Sequence, residues 1–278
     1  MPRGRQIGET PRHPWLQPAP RLALGADGAT GPRLQVGGAG KFVEACLQVA
    51  ADCAATAYPG GAVRSAGRPA QLTPATDRIY EVFSRVIDLA VAAVAVILAS
   101  PIMLLAAMVI RGTSRGPVLF RQPRAGRNRA SFVMYKFRTM YAGADDDKEL
   151  FRRHNSLPTG PCFKMKDDPR VTTIGRWLRR MSIDELPQLF NVLKGDMALV
   201  GPRPLPLDEV VAETAEQRLR FAVKPGLTCL WQVSGRTEIP YEEWLALDVW
   251  YVMNRSLSLD VQILFKTIPA VLSCHGAY

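Results

Sequence analysis

Twenty-two consecutive residues, Leu89–Ile110 (LAVAAVAVILASPIMLLAAMVI), carry no charge. At about 1.5 Å per residue, a helix of that length matches a hydrocarbon core of roughly 30 Å, so a membrane helix is the first expectation. The competing reading, a buried helix of a soluble protein, is weak because core helices of this length usually keep a polar face. Ser100-Pro101 interrupts the run near its midpoint. A proline there removes a backbone hydrogen bond and crowds the preceding turn, so a bend is expected. Arginine flanks both sides, with Arg78 and Arg85 before and Arg111, Arg115 and Arg121 after. A spanning helix concentrates such charge on its cytosolic side. Arginine on both sides favours a helix that enters, breaks at Ser100-Pro101 and returns. A kinked spanning helix stays open, because the downstream charge is the denser.

The rest of the chain divides around this segment. Residues 1–76 are rich in Pro, Gly, Ala and Arg, and such composition buries too little apolar surface to offset chain entropy, so disorder is expected over most of them. One short helix is predicted at Lys41–Ala57. No apolar signal core stands near Met1, which places the N-terminus in the cytosol. Apolar residues make up 47% and charged residues 22%, which excludes wholesale disorder and fibrous repeats. The net charge of +10 is local: residues 111–138 hold eight Lys/Arg and no acid, whereas residues 139–278 are nearly neutral. Placed directly after the apolar segment, that block can hold anionic headgroups and meet phosphorylated substrates. The five cysteines show no CxxC spacing and the three histidines are isolated, so a disulfide framework, a zinc site and an HExxH metalloprotease are not expected. An enzyme built from this chain must rely on carboxylates and cations.

Pro117–Gln122 and Ser131–Arg138 read as the two arms of a hairpin around a Pro/Gly/Arg loop. Val171–Met181 places Val171, Ile174, Leu178 and Met181 on one helical face, with Arg176, Arg179 and Arg180 largely off it. Periodicity alone fits an interfacial helix and a helix packed on a soluble core about equally. Leu257–Leu272 is apolar on one face but too polar and short for a second span.

The densest constellation is Ser182–Asp196 (SIDELPQLFNVLKGD). Pro187 belongs in a first turn, so the spacing predicts a helix from about Ser182–Asp184 to Gly195, with Asp184 and Glu185 at its N-terminus. Acidic residues there are usually caps. Here Arg179, Arg180 and Lys194 stand nearby and Gly201-Pro202-Arg203-Pro204 follows. A carboxylate pair ringed by cations suits phosphoryl transfer: one carboxylate can attack phosphorus, another oxygen can ligate Mg²⁺, and arginine forks match phosphate oxygens. Beside a membrane segment, such a site points to a soluble phosphate compound and a lipid phosphate as substrates.

From about Arg78 to Tyr278 the chain resembles the bacterial sugar transferases, the monotopic polyprenyl-phosphate phosphoglycosyl transferases that start exopolysaccharide, capsule or O-antigen repeat units. The resemblance rests on the Ser100-Pro101 segment, PVLFRQPRAGRN, YKFRTM (135–140), residues 163–205, KPGLTCLWQVSGR (224–236) and LDVWYVMNRSLSLD (247–260). It implies an α+β, helix-rich monotopic protein. Its parts would be one re-entrant membrane helix over about 84–110, interfacial amphipathic helices, and a small cytosolic catalytic region at 111–278 within a transferase domain at 77–278. Asp184 matches the family's nucleophile, which attacks the β-phosphorus of a nucleotide diphosphosugar, releases the nucleoside monophosphate and carries the sugar phosphate to polyprenyl phosphate. Glu185 matches the second carboxylate, associated with Mg²⁺. Lys136, Arg179 and Arg203 match phosphate-binding cations. Arg176, Arg236 and Asp248 are weaker matches, with interface anchoring, loop solvation and helix capping as their plainer roles. UDP-glucose or UDP-galactose is the implied donor, the inner membrane the implied location, and a homodimer is left open.

The family usually has glycine where Cys229 stands, so a left-handed turn there would be strained. A non-catalytic tethered scaffold of the same fold is the main alternative, and intact Asp184 and Glu185 argue against it. A nucleic-acid binder using residues 111–138 would leave membranes in high salt, whereas the transferase would need detergent.

Overall fold

The computed structural model describes residues 74–272 apart from 152, 154, 156–159, 164, 166, 211–213 and 235–239. Of the 1–76 extension, only the last three residues are described. Its expected disorder and the Lys41–Ala57 helix lie outside the described residues, as does Arg236.

The apolar segment forms the core of helix α1, Pro74–Thr113, 40 residues with Pro101 inside. It begins about ten residues before the expected start and carries helical assignment through Pro101. Pro101 has no N–H to give to the carbonyl of Ile97, and the Ser100 hydroxyl donates to that carbonyl at 2.8 Å instead. The Ser-Pro pair thus repairs part of the bond it removes.

Both halves of α1 pack on the same body. Ala92 enters the main core with Met134, Leu189, Val192, Leu199, Leu247 and Ile263. Ala106 and Ile110 enter a second cluster with Phe137 and Leu178. Ala95, Val96, Met103 and Ala107 pack partly against the same clusters, while the outward face is bare: Ile97 is 70% and Leu98 73% exposed. Within the described residues it is the one helix apolar and long enough to cross a membrane.

Polar side chains clamp its ends. The Arg85 guanidinium donates to the carbonyls of Val192 (2.6 Å) and Leu193 (2.9 Å), while Asp88 Oδ1 accepts the Leu199 amide at 2.9 Å. Tyr80 and Tyr251 both donate to Asp260 at 2.7 Å. Beyond Thr113, the buried Arg138 donates to the carbonyls of Arg115 (2.7 Å) and Ser114 (3.0 Å).

The hairpin forms as β1, Leu119–Ala125, antiparallel to β2, Ser131–Phe137, with Phe120 opposite Lys136. Helix α2, Thr173–Arg180, is capped by Thr172, whose hydroxyl accepts the Gly175 amide at 2.9 Å. It turns Leu178 and Ile174 toward the Phe137–Ile110 cluster. Trp177 and Met181 face outward, so Met181 leaves the face predicted for it.

The continuous helix predicted from Ser182 to Gly195 is two pieces. A 3-10 turn at Ile183–Glu185 precedes α3, Gln188–Lys194, whose N-cap is Pro187 and whose C-cap is Gly195 at φ 92°. Ser182 stands in the left-handed region at φ 56° and ends α2 abruptly. Pro187 cannot donate, so bonding restarts beyond it. Asp184 and Glu185 therefore lie on a separate turn before α3.

A parallel pair, β3 (Ala198–Val200) and β4 (Gly226–Thr228), completes the strands among the described residues. Short α4, Ala215–Leu219, carries a Thr214–Gln217 capping box. Helices α5, Tyr241–Asn254, and α6, Leu257–Leu272, cover the core, with Leu247 and Ile263 fully buried. The architecture is mixed helix and strand, with helices dominant.

Candidate active site

Four elements converge on one point. β2 supplies Lys136, the last turn of α2 supplies Arg179, the 3-10 turn supplies Asp184 and Glu185, and the loop after β3 supplies Arg203. Glu185 Oε1 accepts from Arg203 at 2.6 Å and from Lys136 at 2.8 Å. Lys136 Nζ also stands 3.9 Å from Asp184 Oδ2. Arg179 is oriented by donating from Nε to the Thr139 hydroxyl at 2.9 Å.

The two carboxylates are pulled in opposite directions. Burial raises the pKa of Asp184 above the usual carboxylate range, only partly opposed by Lys136, and Glu185 adds to the rise. Burial would raise Glu185 as well, but Arg203 and Lys136 outweigh it and hold Glu185 well below that range. Burial lowers Lys136 and Arg179. For Arg203, the Glu185 carboxylate overcomes burial and raises the pKa. Glu185 is thus a fixed anion within a cationic cage, and Asp184 the carboxylate with the looser hold.

These groups open on a cavity of about 1830 Å³, well above the roughly 300–1,000 Å³ of a site for one small ligand. Its lining includes apolar side chains of α1 and α6, Ala95, Ala99, Ile102, Leu264 and Ile268, and also Arg124, Lys148, Phe163 and Glu209. A polar head and an apolar tail can therefore share one chamber with a soluble phosphate compound.

Among the described residues no three or more His, Cys, Asp or Glu cluster as a ready metal cage. The site still offers the Asp184 carboxylate and the second oxygen of Glu185. One or two carboxylates are what Mg²⁺ takes when phosphates and waters complete its shell, so the residues fit that ion.

Other expectations fall elsewhere. Ser100 and Pro101 are exposed on α1, and Arg176 on α2. Asp248 is no cap: it is buried against Arg220 at 2.8 Å. Cys229 has no positive φ and is 1% exposed, with Sγ donating to Gln232 Oε1 at 3.0 Å, so the feared strain is absent. The basic block is divided: Arg124, Lys136 and Arg138 bond within the protein, whereas Arg111, Arg115, Arg121, Arg127 and Arg129 are exposed. Two supports escaped the sequence reading. Thr139 holds Arg179. Asn191, fully buried, donates to the Val133 carbonyl (2.7 Å) and accepts the Tyr135 amide (3.0 Å), fastening α3 to β2. An asparagine inside a helix is a poor helix former, and that was the available signal.

The profile of the family described as bacterial sugar transferase matches residues 79–274. The chain is 40% identical over 223 residues to the exopolysaccharide production protein ExoY of Rhizobium meliloti, covering 78% of this chain and 99% of that protein. It is 41% identical over 204 residues to the UDP-glucose:undecaprenyl-phosphate glucose-1-phosphate transferase of Caulobacter vibrioides, covering 70% and 71%. Identity is also 41%, over 197 residues, to the undecaprenyl-phosphate galactose phosphotransferase of Salmonella typhimurium, covering 70% of this chain but 41% of that protein. The chain spans less than half the length of several curated relatives it matches.

Proposed function

Because the chain belongs to the bacterial sugar transferase family, we propose that it transfers a hexose-1-phosphate from a UDP-hexose, glucose or galactose, to a polyprenyl phosphate. The observation that carries this is the pairing of a cation-locked Glu185 with a loosely held Asp184 in the lining of a large, partly apolar cavity.

The Asp184 carboxylate attacks the β-phosphorus. A new acyl–phosphate P–O bond forms, the bond to the bridging oxygen breaks, and UMP departs with that electron pair. Lys136, Arg179 and Arg203 offset the negative charge that builds on the phosphoryl oxygens. The polyprenyl phosphate oxygen then attacks the same phosphorus, and the Asp184 carboxylate leaves unchanged. Glu185 fixes Lys136 and Arg203 in place, so that neither must reorganise as charge develops. Asp184 and Glu185 would hold Mg²⁺, which supplies neutralisation of diphosphate charge.

Helix α1 is read as re-entrant at Ser100-Pro101, with the catalytic region on the cytosolic face of the inner membrane. Its support is that Ala92 and Ala106 rest on the same body while Ile97 and Leu98 between them are bare. The outward Trp177 beside Arg176 and Arg180 on α2 suits a headgroup region.

The test is incubation of detergent-solubilised protein with Mg²⁺, undecaprenyl phosphate and a panel of UDP-sugars. UMP release with UDP-glucose or UDP-galactose is expected, and no release with any hexose donor overturns the reading.

A further inference from the structure

Arg220 and Asp248 form an ion pair 2.8 Å apart, each with a side chain only 2% exposed. Such a pair is expensive to desolvate and is a poor stabiliser compared with apolar packing of similar volume. Its geometry gives it another task. The Arg220 guanidinium lies 5.5 Å from the ring centres of both Phe221 and Trp244, which confines its plane. From there it donates through Nη2 to the backbone carbonyl of Arg203 at 3.0 Å. Arg203 in turn donates to Glu185 at 2.6 Å.

The loop that carries Arg203 follows the three-residue strand β3 and contains Pro202 and Pro204, neither of which can donate a backbone hydrogen bond, so it is held through its carbonyls. Pro202 accepts the Gly226 amide at 3.0 Å and Pro204 accepts Arg124 at 2.9 Å, which leaves the Arg203 carbonyl between them to Arg220. A guanidinium that grips one carbonyl in the middle of this loop sets where the Arg203 side chain starts. Asp248, on helix α5, sets where that guanidinium sits.

We infer that Asp248 and Arg220 are positioning residues for the phosphate-binding Arg203, acting through its backbone carbonyl and not by contact with substrate. The inference rests on the transferase reading above. Asp248→Asn keeps the size of the side chain but removes the charge that orients Arg220. Arg220→Lys keeps a cation for Asp248 but loses the planar guanidinium, held between Phe221 and Trp244, whose Nη2 meets both Asp248 and the Arg203 carbonyl.

The experiment is a double-mutant cycle on UMP release in detergent with UDP-hexose and polyprenyl phosphate, using wild type, Asp248→Asn, Arg203→Ala and the double variant. Folded fraction is followed by thermal melting. Expected are a fall in kcat of about tenfold for Asp248→Asn at near-unchanged KM for UDP-hexose, and a double variant no slower than Arg203→Ala alone. Arg220→Lys runs in the same cycle and replaces Asp248→Asn should that variant not fold. Multiplicative losses, or a loss that merely follows the folded fraction, overturn the inference while wild-type turnover leaves the transferase reading standing. No turnover by wild type overturns both.

Discussion

Asp184 and Glu185 are neighbours in sequence with unequal holds: Glu185 Oε1 is gripped at 2.6 and 2.8 Å by Arg203 and Lys136, whereas the ion-pair contact of Asp184 is Lys136 at 3.9 Å. A tightly paired carboxylate is a poor nucleophile because its electrons are already engaged. A buried carboxylate with a raised pKa and a looser cation is the better attacker. The turn at Ile183–Glu185 sets the two adjacent side chains at unequal distances from the Lys136 they share.

Substituting each in turn separates their roles. Asp184→Asn removes the proposed attacking oxygen and is expected to lower UMP release by about 10³-fold or more. Glu185→Gln leaves Asp184 in place but frees Lys136 and Arg203, with an expected loss of about 10–100-fold. Initial rates of UMP release measure both; equal losses contradict the division.

The acid limb of the rate profile reports Asp184. As the proposed nucleophile it would attack only when ionised, and burial raises its pKa, so activity is expected to fall as pH drops through a value above the ordinary aspartate pKa of about 3.9. Lys136 opposes that rise, so Lys136→Met removes the opposition and moves the limb to higher pH. A limb that stays put or moves down, in kcat/KM against pH, contradicts the account.

Gly175 tests whether Arg179 is held through Thr139. A Cβ at Gly175 would collide with the Thr139 carbonyl, the residue whose hydroxyl orients Arg179. Gly175→Ala is expected to cost about 1–3 kcal/mol of stability and to lower kcat in the folded fraction. Denaturant melts and turnover on the same samples check it; unchanged kcat in folded protein removes Thr139 from the account.

Membrane topology can be read by labelling. Single cysteines at Arg78 and Arg115 flank the apolar part of α1. In intact cells both are expected to resist a membrane-impermeant thiol reagent and to react only after lysis. Reaction of either from outside identifies a spanning helix.

Chemistry was more legible in the sequence than geometry. The run Leu89–Ile110 announced itself by its lack of charge, Asp184, Glu185 and Arg203 stood out in a dense constellation, and Lys136 came only from the family resemblance; the fold brings those four together. The predicted single helix over Ser182–Gly195 failed because a left-handed Ser182 and the N–H-less Pro187 break bonding that periodicity cannot see. Met181 faces out because α2 ends there, not because its spacing was misread. Thr139, Asn191 and Arg220 act through contacts 40, 58 and 17 residues away. No local pattern marks such partners.

The central claim is a covalent bond to Asp184. Protein incubated with Mg²⁺ and UDP-hexose, without lipid acceptor, is quenched in acid, digested and examined by mass spectrometry. The account predicts a hexose-phosphate mass increment on the peptide containing Asp184, lost when polyprenyl phosphate is added before quenching and absent in Asp184→Asn. UMP release at full turnover with no adduct on that peptide, or an adduct that persists in Asp184→Asn, would contradict it.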